Sequence, residues 1–331
     1  MKDTLRPSQK AYIYLEVNYL EVNMFVGRAR ELAFLQELGE LQKPKLVLVY
    51  GRRRVGKTAL LQEFCKKTGG AYFLARQEDT LQQLAGFSKT LAEWFKDEAL
   101  RLSPFQNYDS FFAYLQSKMP QGKPVVFDEF PYMVEASASV PSILQDHWDN
   151  SFQKKNSFLI LCGSSVRMME KLAGYKSPLY GRRTEQLLLS PLDFFDATKL
   201  MNTGLEKAVE AYAVLGGTPA YLQLFDFNKT LEENIVAKVL PKTAFLNQEA
   251  LFILREELDE PRHYFSILKS LAKGNTQLSN IVNDTGLDKG LVGKYLSVLM
   301  DLHVIERRTP ITEAKGARSR KGVYEITDAY F

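Results

Sequence analysis

The sequence predicts an α/β protein that begins with a doubly wound parallel sheet, continues into a helical subdomain and ends in a three-helix module with a hairpin. Three observations support this: short apolar runs alternate with helical patterns, the strand pattern then disappears, and three amphipathic helices follow Pro261. Continuous apolar runs are typical of strands that are buried on both faces, as in parallel sheets. We therefore divide the chain into residues 1–23, 24–190, 191–260 and 261–331.

The sheet domain contains five apolar runs that predict strands, at residues 46–50, 71–75, 125–127, 158–162 and 186–189. A helical pattern precedes them at residues 28–41, and further helical patterns lie between them at residues 59–67, 81–99 and 141–154. Strands that alternate with helices are typical of a doubly wound α/β domain. Residues 205–215 and 231–238 are then amphipathic, which predicts a subdomain built from helices.

Length and composition exclude several classes of protein. The chain has 331 residues, of which 45% are hydrophobic and 25% are charged, as in ordinary globular proteins. No stretch approaches the ~18 consecutive apolar residues of a membrane span, and the N-terminus lacks an apolar signal segment. We therefore expect a cytoplasmic protein without membrane contacts. Two cysteines and three histidines are too few for a disulfide framework or a metal cluster.

The first 23 residues do not share the pattern of the rest of the chain. Met24 stands directly before residues 25–28 (FVGR), where the regular pattern begins. We expect either that Met24 is the natural start of the protein or that residues 1–23 are a loosely held N-terminal extension.

Residues 51–58 (GRRRVGKT) match the pattern G-x-x-x-x-G-K-[ST] in full, between a predicted buried strand and a predicted helix. In such a loop the glycines let backbone N–H groups face phosphates, and the helix N-terminus adds its partial positive charge. We expect Lys57 to bind the β- and γ-phosphates of a nucleotide and the Thr58 hydroxyl to bind Mg²⁺. A chance match in a glycine-containing turn is the alternative, but the strand–loop–helix context favours a phosphate-binding loop.

A second predicted strand ends in two carboxylates, Asp128 and Glu129, within residues 124–129 (PVVFDE). Asp128 at the end of the strand can hold Mg²⁺ through its water shell. Glu129 can orient and polarise the attacking water as a general base. The alternative is that both acids only cap the following helix.

Two further motifs carry polar groups suited to a nucleotide site. The next strand ends in Ser164 and Ser165, either of which can sense the γ-phosphate or the water; we take Ser164 as the candidate catalytic residue. The alternative is a turn and a helix N-cap, which serines favour. Arg182 and Arg183 precede the last strand. An arginine finger there would stabilise charge on the γ-phosphoryl group, in its own chain or in a neighbouring subunit of a homo-oligomer; ordinary surface arginines are the alternative.

Together these motifs resemble the archaeal-type ATPase family, a branch of the P-loop NTPases related to AAA+ and STAND ATPases. The resemblance covers residues 24–331. It is carried by residues 25–28 with Glu31, 51–58, 127–130, 162–165, 180–183 and 216–221. It implies ATP as the nucleotide and a doubly wound parallel-sheet P-loop NTPase domain, followed by a helical lid subdomain and a winged helix-turn-helix domain. Family members often carry a nuclease-like domain after the winged helix, so we expect that this chain either lacks it or is truncated before it.

The resemblance also implies roles that the residues alone do not reveal. Residues 26–28 are expected to pack near adenine, residues 216–219 in the lid to close over the nucleotide from the other side, and residues 181–183 to carry the finger. The candidate nucleotide-binding residues are Val26, Gly27, Arg28, Gly51, Val55, Gly56, Lys57, Thr58, Ala59, Gly217 and Pro219.

The C-terminal fifth of the chain has the pattern of a winged helix-turn-helix. Three predicted helices (261–273, 276–284 and 288–302) precede two strand-like runs (304–308 and 322–326). A basic segment joins the two runs, as in the wing of such a domain. Winged helices also serve as packing or protein-docking modules, which is the alternative to DNA binding.

The distribution of charge favours a binding module in this part of the chain. Residues 261–331 contain 11 basic and seven acidic residues, so they carry the whole net charge of +4. The candidate DNA contacts are Lys289 and Lys294 on the third helix and Arg318, Arg320 and Lys321 in the basic segment. Glycines in the third helix leave few side chains to read bases, so we expect contacts with the DNA backbone. A solvated basic face is the alternative.

These predictions favour a Mg²⁺-dependent ATPase whose hydrolysis cycle moves the lid and the winged helix, acting on DNA or within a DNA-linked complex. The first alternative is a STAND-like signalling switch that holds nucleotide tightly and uses the winged helix for protein contacts. The second is a nucleotide-dependent transcriptional regulator with little catalysis. Two observations would distinguish the DNA-linked ATPase from the switch: duplex DNA would raise the rate of ATP hydrolysis, and DNA binding would weaken steeply as the salt concentration rises.

Overall fold

A five-stranded parallel sheet forms the centre of the computed structural model, which describes residues 25–258, 260–311 and 322–331. The strands are β1 (Lys45–Tyr50), β2 (Ala71–Leu74), β3 (Pro124–Asp128), β4 (Phe158–Gly163) and β5 (Glu185–Leu188), in the order β2-β3-β4-β1-β5. All four neighbouring pairs are parallel. Every residue of β1, β3 and β4 is buried, which explains why their sequences are continuous apolar runs.

In the described residues, eight α-helices connect and cover the strands. They are α1 (Ala29–Glu40), α2 (Lys57–Thr68), α3 (Thr80–Phe95), α4 (Ala99–Leu102), α5 (Tyr108–Lys118), α6 (Phe130–Ala136), α7 (Val140–Asn150) and α8 (Val166–Ala173). The helix predicted at 81–99 ends at Phe95, because Lys96 adopts a left-handed backbone conformation with φ 58°. The helix predicted at 141–154 ends at Asn150 and is followed by a 3₁₀ turn (Phe152–Lys154).

Alternate residues of the buried strands point to opposite faces of the sheet, so the sheet has two cores. Val47 and Val49 of β1 belong to the core that α1 and α2 cover. Leu46 and Leu48 belong to the core that α3, α5 and α7 cover. This is the doubly wound arrangement that the sequence predicts.

A group of five helices follows the sheet. They are α9 (Phe194–Met201), α10 (Leu205–Leu215), α11 (Pro219–Leu222), α12 (Leu231–Lys238) and α13 (Phe245–Glu257). These helices share a buried cluster of their own, and Tyr330 and Phe331 from the end of the chain pack against it. The sequence predicts α10 and α12 at these positions but does not predict α13, whose last turn contributes to the site described below.

Three helices and an antiparallel hairpin complete the described chain, in the order expected of a winged helix-turn-helix. They are α14 (Pro261–Ala272), α15 (Leu278–Thr285), α16 (Lys289–Asp301), β6 (Ile305–Arg308) and β7 (Val323–Ile326). Their buried residues are continuous with one core of the sheet. Lys289 and Lys294 are exposed on α16. The other candidate DNA contacts, Arg318, Arg320 and Lys321, lie outside the described residues, as does Met24. Nowhere in the described ranges is a helix long and apolar enough to cross a membrane.

Phe73 on β2 is fully buried, with its ring centroid 5.3, 5.5 and 5.4 Å from those of Phe87, Phe111 and Phe127. We expect Phe73→Ala to lower the free energy of unfolding by about 3–5 kcal/mol, because it leaves a cavity among these rings. Urea denaturation followed by circular dichroism measures the change. Leu102→Ala, which truncates a side chain that is 89% exposed, is the control; equal effects of the two substitutions would contradict this packing.

Candidate nucleotide site

The loop between β1 and α2 curves tightly around the side chain of Lys57. A Cβ atom at Gly51 would lie 2.3 Å from the carbonyl oxygen of Leu189, so this position has no room for a side chain. The Nζ atom of Lys57 donates to the carbonyl oxygens of Gly51 and Arg52, each at 2.8 Å. Lys57 is only 4% exposed, and burial lowers the pKa of its ammonium group. The ammonium therefore lies inside the curve of the loop, where it is placed to bind phosphate oxygens.

Thr58 and Asp128 meet at the carboxyl edge of the sheet. The Thr58 hydroxyl donates to Asp128 Oδ2 at 2.7 Å, and the backbone N–H of Glu129 donates to Asp128 Oδ1 at 2.9 Å. Asp128 is fully buried. A hydroxyl and a carboxylate are the oxygen ligands that Mg²⁺ prefers, so these two side chains fit the metal predicted from the sequence.

Tyr72 on β2 is a third partner of this group that the sequence analysis missed. Its hydroxyl donates to Asp128 Oδ2 at 2.5 Å. Burial, together with the nearby Asp128 charge, raises the pKa of Tyr72, which keeps the hydroxyl protonated as a donor. Burial likewise raises the pKa of the Cys162 thiol beside Asp128. Neither residue type signals a nucleotide site by itself, and only the pairing of β2 with β3 brings Tyr72 to the carboxylate.

Glu129 is held by Ser164 rather than used as a helix cap. It occupies the N-cap position of α6 in a left-handed conformation (φ 52°, ψ 42°), a backbone strain that is frequent at functional sites, and its side chain does not cap the described helix. The Ser164 hydroxyl donates to Glu129 Oε1, and the Ser164 N–H donates to Oε2 at 3.2 Å. Ser165 instead caps α8 by accepting from Met168 N–H at 3.3 Å. The geometry thus separates the two serines and favours Ser164 as the sensor.

The segment before α1 is bonded to the phosphate loop. Arg28 donates through Nη2 to the carbonyl oxygens of Val55 and Ser190, at 2.7 and 2.6 Å, and through Nη1 to Glu31 at 2.8 Å. These bonds connect the start of α1 to the loop, whereas a Cβ atom at Gly27 would lie 3.0 Å from the Asp196 side chain. Among the other predicted binding residues, Gly56 and Ala59 flank Lys57 and Thr58 at the start of α2.

The lid motif also reaches the phosphate loop. A Cβ atom at Gly217 would lie 1.8 Å from the carbonyl oxygen of Leu192, so the motif packs directly against the chain that leaves the sheet. The Leu192 N–H donates to the Gly217 carbonyl at 2.8 Å. Pro219 Cγ lies 3.9 Å from the position of a Cβ at Gly56. Both predicted nucleotide-binding segments therefore adjoin the phosphate loop, Arg28 at Val55 and Pro219 at Gly56.

Comparison with known proteins shows the family. The model of an ATPase domain predominantly from Archaea matches residues 25–225, most of the chain. The chain belongs to this family of ATPase domains. An uncharacterized protein of Methanocaldococcus jannaschii is 32% identical to it over 314 residues, which are 93% of this chain and 67% of that protein. An uncharacterized ATP-binding protein of the same organism is 51% identical over 41 residues, 12% of this chain and 70% of that protein.

The ORC2 protein of Aeropyrum pernix, solved in ADPNP–ADP complexes, shares its fold with nearly the whole of this chain. The TM-score is 0.54 at 12% identity, and the alignment covers 94% of this chain and 93% of that one. At this identity the likeness shows the fold alone. The predicted P-loop NTPase fold is thereby confirmed.

The two arginines predicted as fingers lie away from this candidate site. In the register of β1 with β5, Val47 pairs with Glu185, so the chain just before β5 lies at the amino ends of the strands. Arg182 forms a bidentate ion pair with Asp149, in which Nε donates to Oδ1 at 2.8 Å and Nη2 donates to Oδ2 at 2.6 Å. Arg183 donates through Nη1 to Gln186 Oε1 at 2.6 Å. The structure does not bring them to the phosphate loop of their own chain. A finger that acts in a neighbouring subunit stays a prediction.

All three arginines of the phosphate loop form ion pairs with carboxylates from beyond residue 245. The pairs are Arg52–Asp328, Arg53–Glu256 and Arg54–Glu249. The Arg53–Glu256 distance is 2.7 Å, and Glu249 also accepts from the Tyr221 hydroxyl at 3.0 Å. The loop is therefore attached both to α13 and to the end of the chain.

The end of α13 is also hydrogen-bonded to the sheet domain. Glu257 accepts from the N–H groups of Val166 and Arg167, at 3.0 and 3.4 Å, at the start of α8. Burial raises the pKa of Glu249, Glu256 and Glu257, to about 7 for Glu256. Sequence reasoning missed these acids because their partners are far away along the chain and α13 was not predicted.

The raised pKa of Glu256 predicts a pH dependence of stability. The native state keeps this proton up to about pH 7, whereas the unfolded state releases it near its ordinary pKa of 4.5. Between these values the native state binds more protons, so stability falls as pH rises. We expect Glu256→Gln to reduce the loss of unfolding free energy between about pH 5 and about pH 7.5, measured by urea denaturation at both values.

Glu98→Gln, which changes an exposed carboxylate, is the control and should keep the wild-type pH dependence. The same loss of free energy in Glu256→Gln as in the wild type would contradict the shifted pKa.

Proposed function

We propose that this chain binds ATP together with Mg²⁺ at the site described and hydrolyses it. The observation that carries the proposal is the Glu129 carboxylate, oriented by Ser164 beside the Thr58–Asp128 pair. Family membership supports ATP as the nucleotide. Lys57 supplies the charge that binds its β- and γ-phosphates.

The side chains at the sheet edge have complementary roles in hydrolysis. Thr58 and Asp128 would hold Mg²⁺, which when bound neutralises charge on the phosphate oxygens. Glu129 accepts a proton from the attacking water, whose oxygen then bonds to the γ-phosphorus as the bond to the ADP oxygen breaks. The two hydrogen bonds from Ser164 fix the plane of the Glu129 carboxylate, so that it faces the water in one orientation.

We further propose that hydrolysis changes the position of the lid and the C-terminal module relative to the phosphate loop. The ion pairs of the three loop arginines support this coupling, because a loop that closes on phosphates must rearrange them. Exposed Lys289 and Lys294 on α16 and the basic surplus of the C-terminal fifth favour action on DNA or within a DNA-linked complex.

A signalling switch that uses the C-terminal module for protein contacts is the second candidate function. It is favoured by the ion pair between Arg52 in the phosphate loop and Asp328, which lies just after the hairpin. Through this pair, a change in the loop can reach the module without any contact with DNA. A homo-oligomer with Arg182 or Arg183 as a finger is compatible with either function.

We expect Glu129→Gln to keep ATP binding and to lower turnover by about 10²–10⁴-fold, because the water loses its general base. Lys57→Ala should abolish nucleotide binding, since the loop loses its phosphate-binding cation. Steady-state phosphate release and calorimetric titration with ATP measure the two effects. Glu135→Gln, an exposed acid on the same helix α6, should behave as the wild type; turnover unchanged in Glu129→Gln would contradict the assigned base.

We expect the double variant Lys289→Gln/Lys294→Gln to weaken binding to duplex DNA and to lower the slope of log Kd against log salt concentration by about two, because two phosphate contacts are lost. Fluorescence anisotropy over a salt series measures both quantities. Lys89→Gln/Lys118→Gln, which removes two exposed lysines from the sheet domain, is the matched control. DNA binding that is absent or unaffected by the first pair would favour the switch.

A further inference from the structure

The three arginines of the phosphate loop differ in how firmly they are held. Arg54 is bonded to Glu249 and lies over the rings of Phe245 and Phe252, with its guanidinium carbon 4.5 and 6.0 Å from their centroids. Arg52 is similarly enclosed by Asp328 and Phe331, and its side chain is only 10% exposed. These two arginines attach the loop to its surroundings.

Arg53 is the most accessible of the three, and its partners lie on α13 and on α6, the helix that follows Glu129. Its side chain is 32% exposed; Nε pairs with Glu256 at 2.7 Å, and Nη2 donates to the Tyr132 hydroxyl at 2.9 Å. Burial lowers the pKa of Arg53, but the charge of Glu256, the Tyr132 oxygen and the charge of Glu129 together outweigh it and hold the pKa above its ordinary value. The guanidinium thus lies in the phosphate loop, in contact with the helix that begins directly after the predicted base Glu129.

We propose that Arg53 acts as a catalytic residue within its own chain, by binding the γ-phosphoryl oxygens during hydrolysis. Before ATP binds, the ion pair with Glu256 holds the Arg53 guanidinium in place. The inference rests on the proposed ATP hydrolysis. Negative charge spreads over three oxygens of the transferred group, and a guanidinium can donate to two of them at once. Arg182 and Arg183 lie at the opposite edge of the sheet, so they do not supply this charge in their own chain.

Arg53 can exchange its carboxylate partner Glu256 for the γ-phosphate of ATP. The pKa of Glu256 is about 7, so near neutral pH this carboxylate is partly protonated and holds the guanidinium weakly. A γ-phosphate brings more negative charge and competes effectively for the same donors. Since Glu256 lies on α13, release of Arg53 also frees one of the contacts between the loop and the lid.

The test compares Arg53→Ala, Arg53→Lys and Glu256→Gln with the wild type and with Arg101→Gln, a control that removes an arginine from α4. We expect Arg53→Ala to lower turnover by about 10²–10³-fold, to keep the Kd for ADP within about threefold, and to lose binding of ADP with aluminium fluoride, which mimics the transition state. Guanidinium ions in solution should restore part of the turnover, whereas ammonium ions at equal concentration should not.

Arg53→Lys should recover only part of the turnover, because an ammonium group cannot donate to two oxygens in a fixed fork. Glu256→Gln should raise turnover, because it releases Arg53. Turnover per chain should not depend on protein concentration, as expected of an arginine that acts in its own chain. If Arg53→Ala does not fold, Arg53→Lys decides: turnover and aluminium fluoride binding equal to the wild type would overturn the inference.

The inference and the proposed function fail in different ways. If the wild type hydrolyses ATP and Glu129→Gln does not, but Arg53→Ala turns over and binds ADP with aluminium fluoride as the wild type does, Arg53 has no catalytic role and the proposed function stands. A wild type that binds ATP without hydrolysing it overturns both.

Discussion

The parallel pairing of β1 with β4, and of β4 with β3, is the constraint on which the site depends. Its register places Tyr50 opposite Gly163 and Phe127 opposite Leu161. Because these strands run in the same direction, the phosphate loop after β1, the two carboxylates at the end of β3 and the serine after β4 lie at the same end of the sheet. Groups that are far apart along the chain therefore meet in one place, and each is held by a strand that is buried over its whole length.

The site contains charged groups that are buried away from water, and hydrogen bonds compensate for the free-energy cost of removing these charges from water. Asp128 accepts from Thr58, Tyr72 and the Glu129 N–H, and Lys57 donates to two carbonyl oxygens of its own loop. Breaking such a bonded set leaves a buried charge without a partner, which is strongly destabilising. The bonds thus fix the position of each group, which suits a site that must bind phosphates in one geometry.

The variable positions of the phosphate loop connect the site to the rest of the protein. Three of them are arginines, and their partners come from α13 and from the segment after the hairpin. The packing of α13 is itself fixed by Glu257, which bonds to the start of α8. These direct contacts are the physical basis for the coupling proposed above, in which a nucleotide that changes the loop would act on the lid and on the C-terminal module.

The sequence by itself determined the sheet strands, the phosphate loop at residues 51–58 and the carboxylates Asp128 and Glu129. Apolar runs and loop motifs involve residues that are close together along the chain, so they can be recognised without the structure. Only the tertiary structure decided that the Tyr72 hydroxyl donates a hydrogen bond to Asp128 and that Arg182 lies at the amino ends of the strands, away from the phosphate loop. It also decided the partners of the loop arginines. Strand register and helix packing set these contacts between residues distant along the chain, and such contacts leave no periodicity or motif in the local sequence.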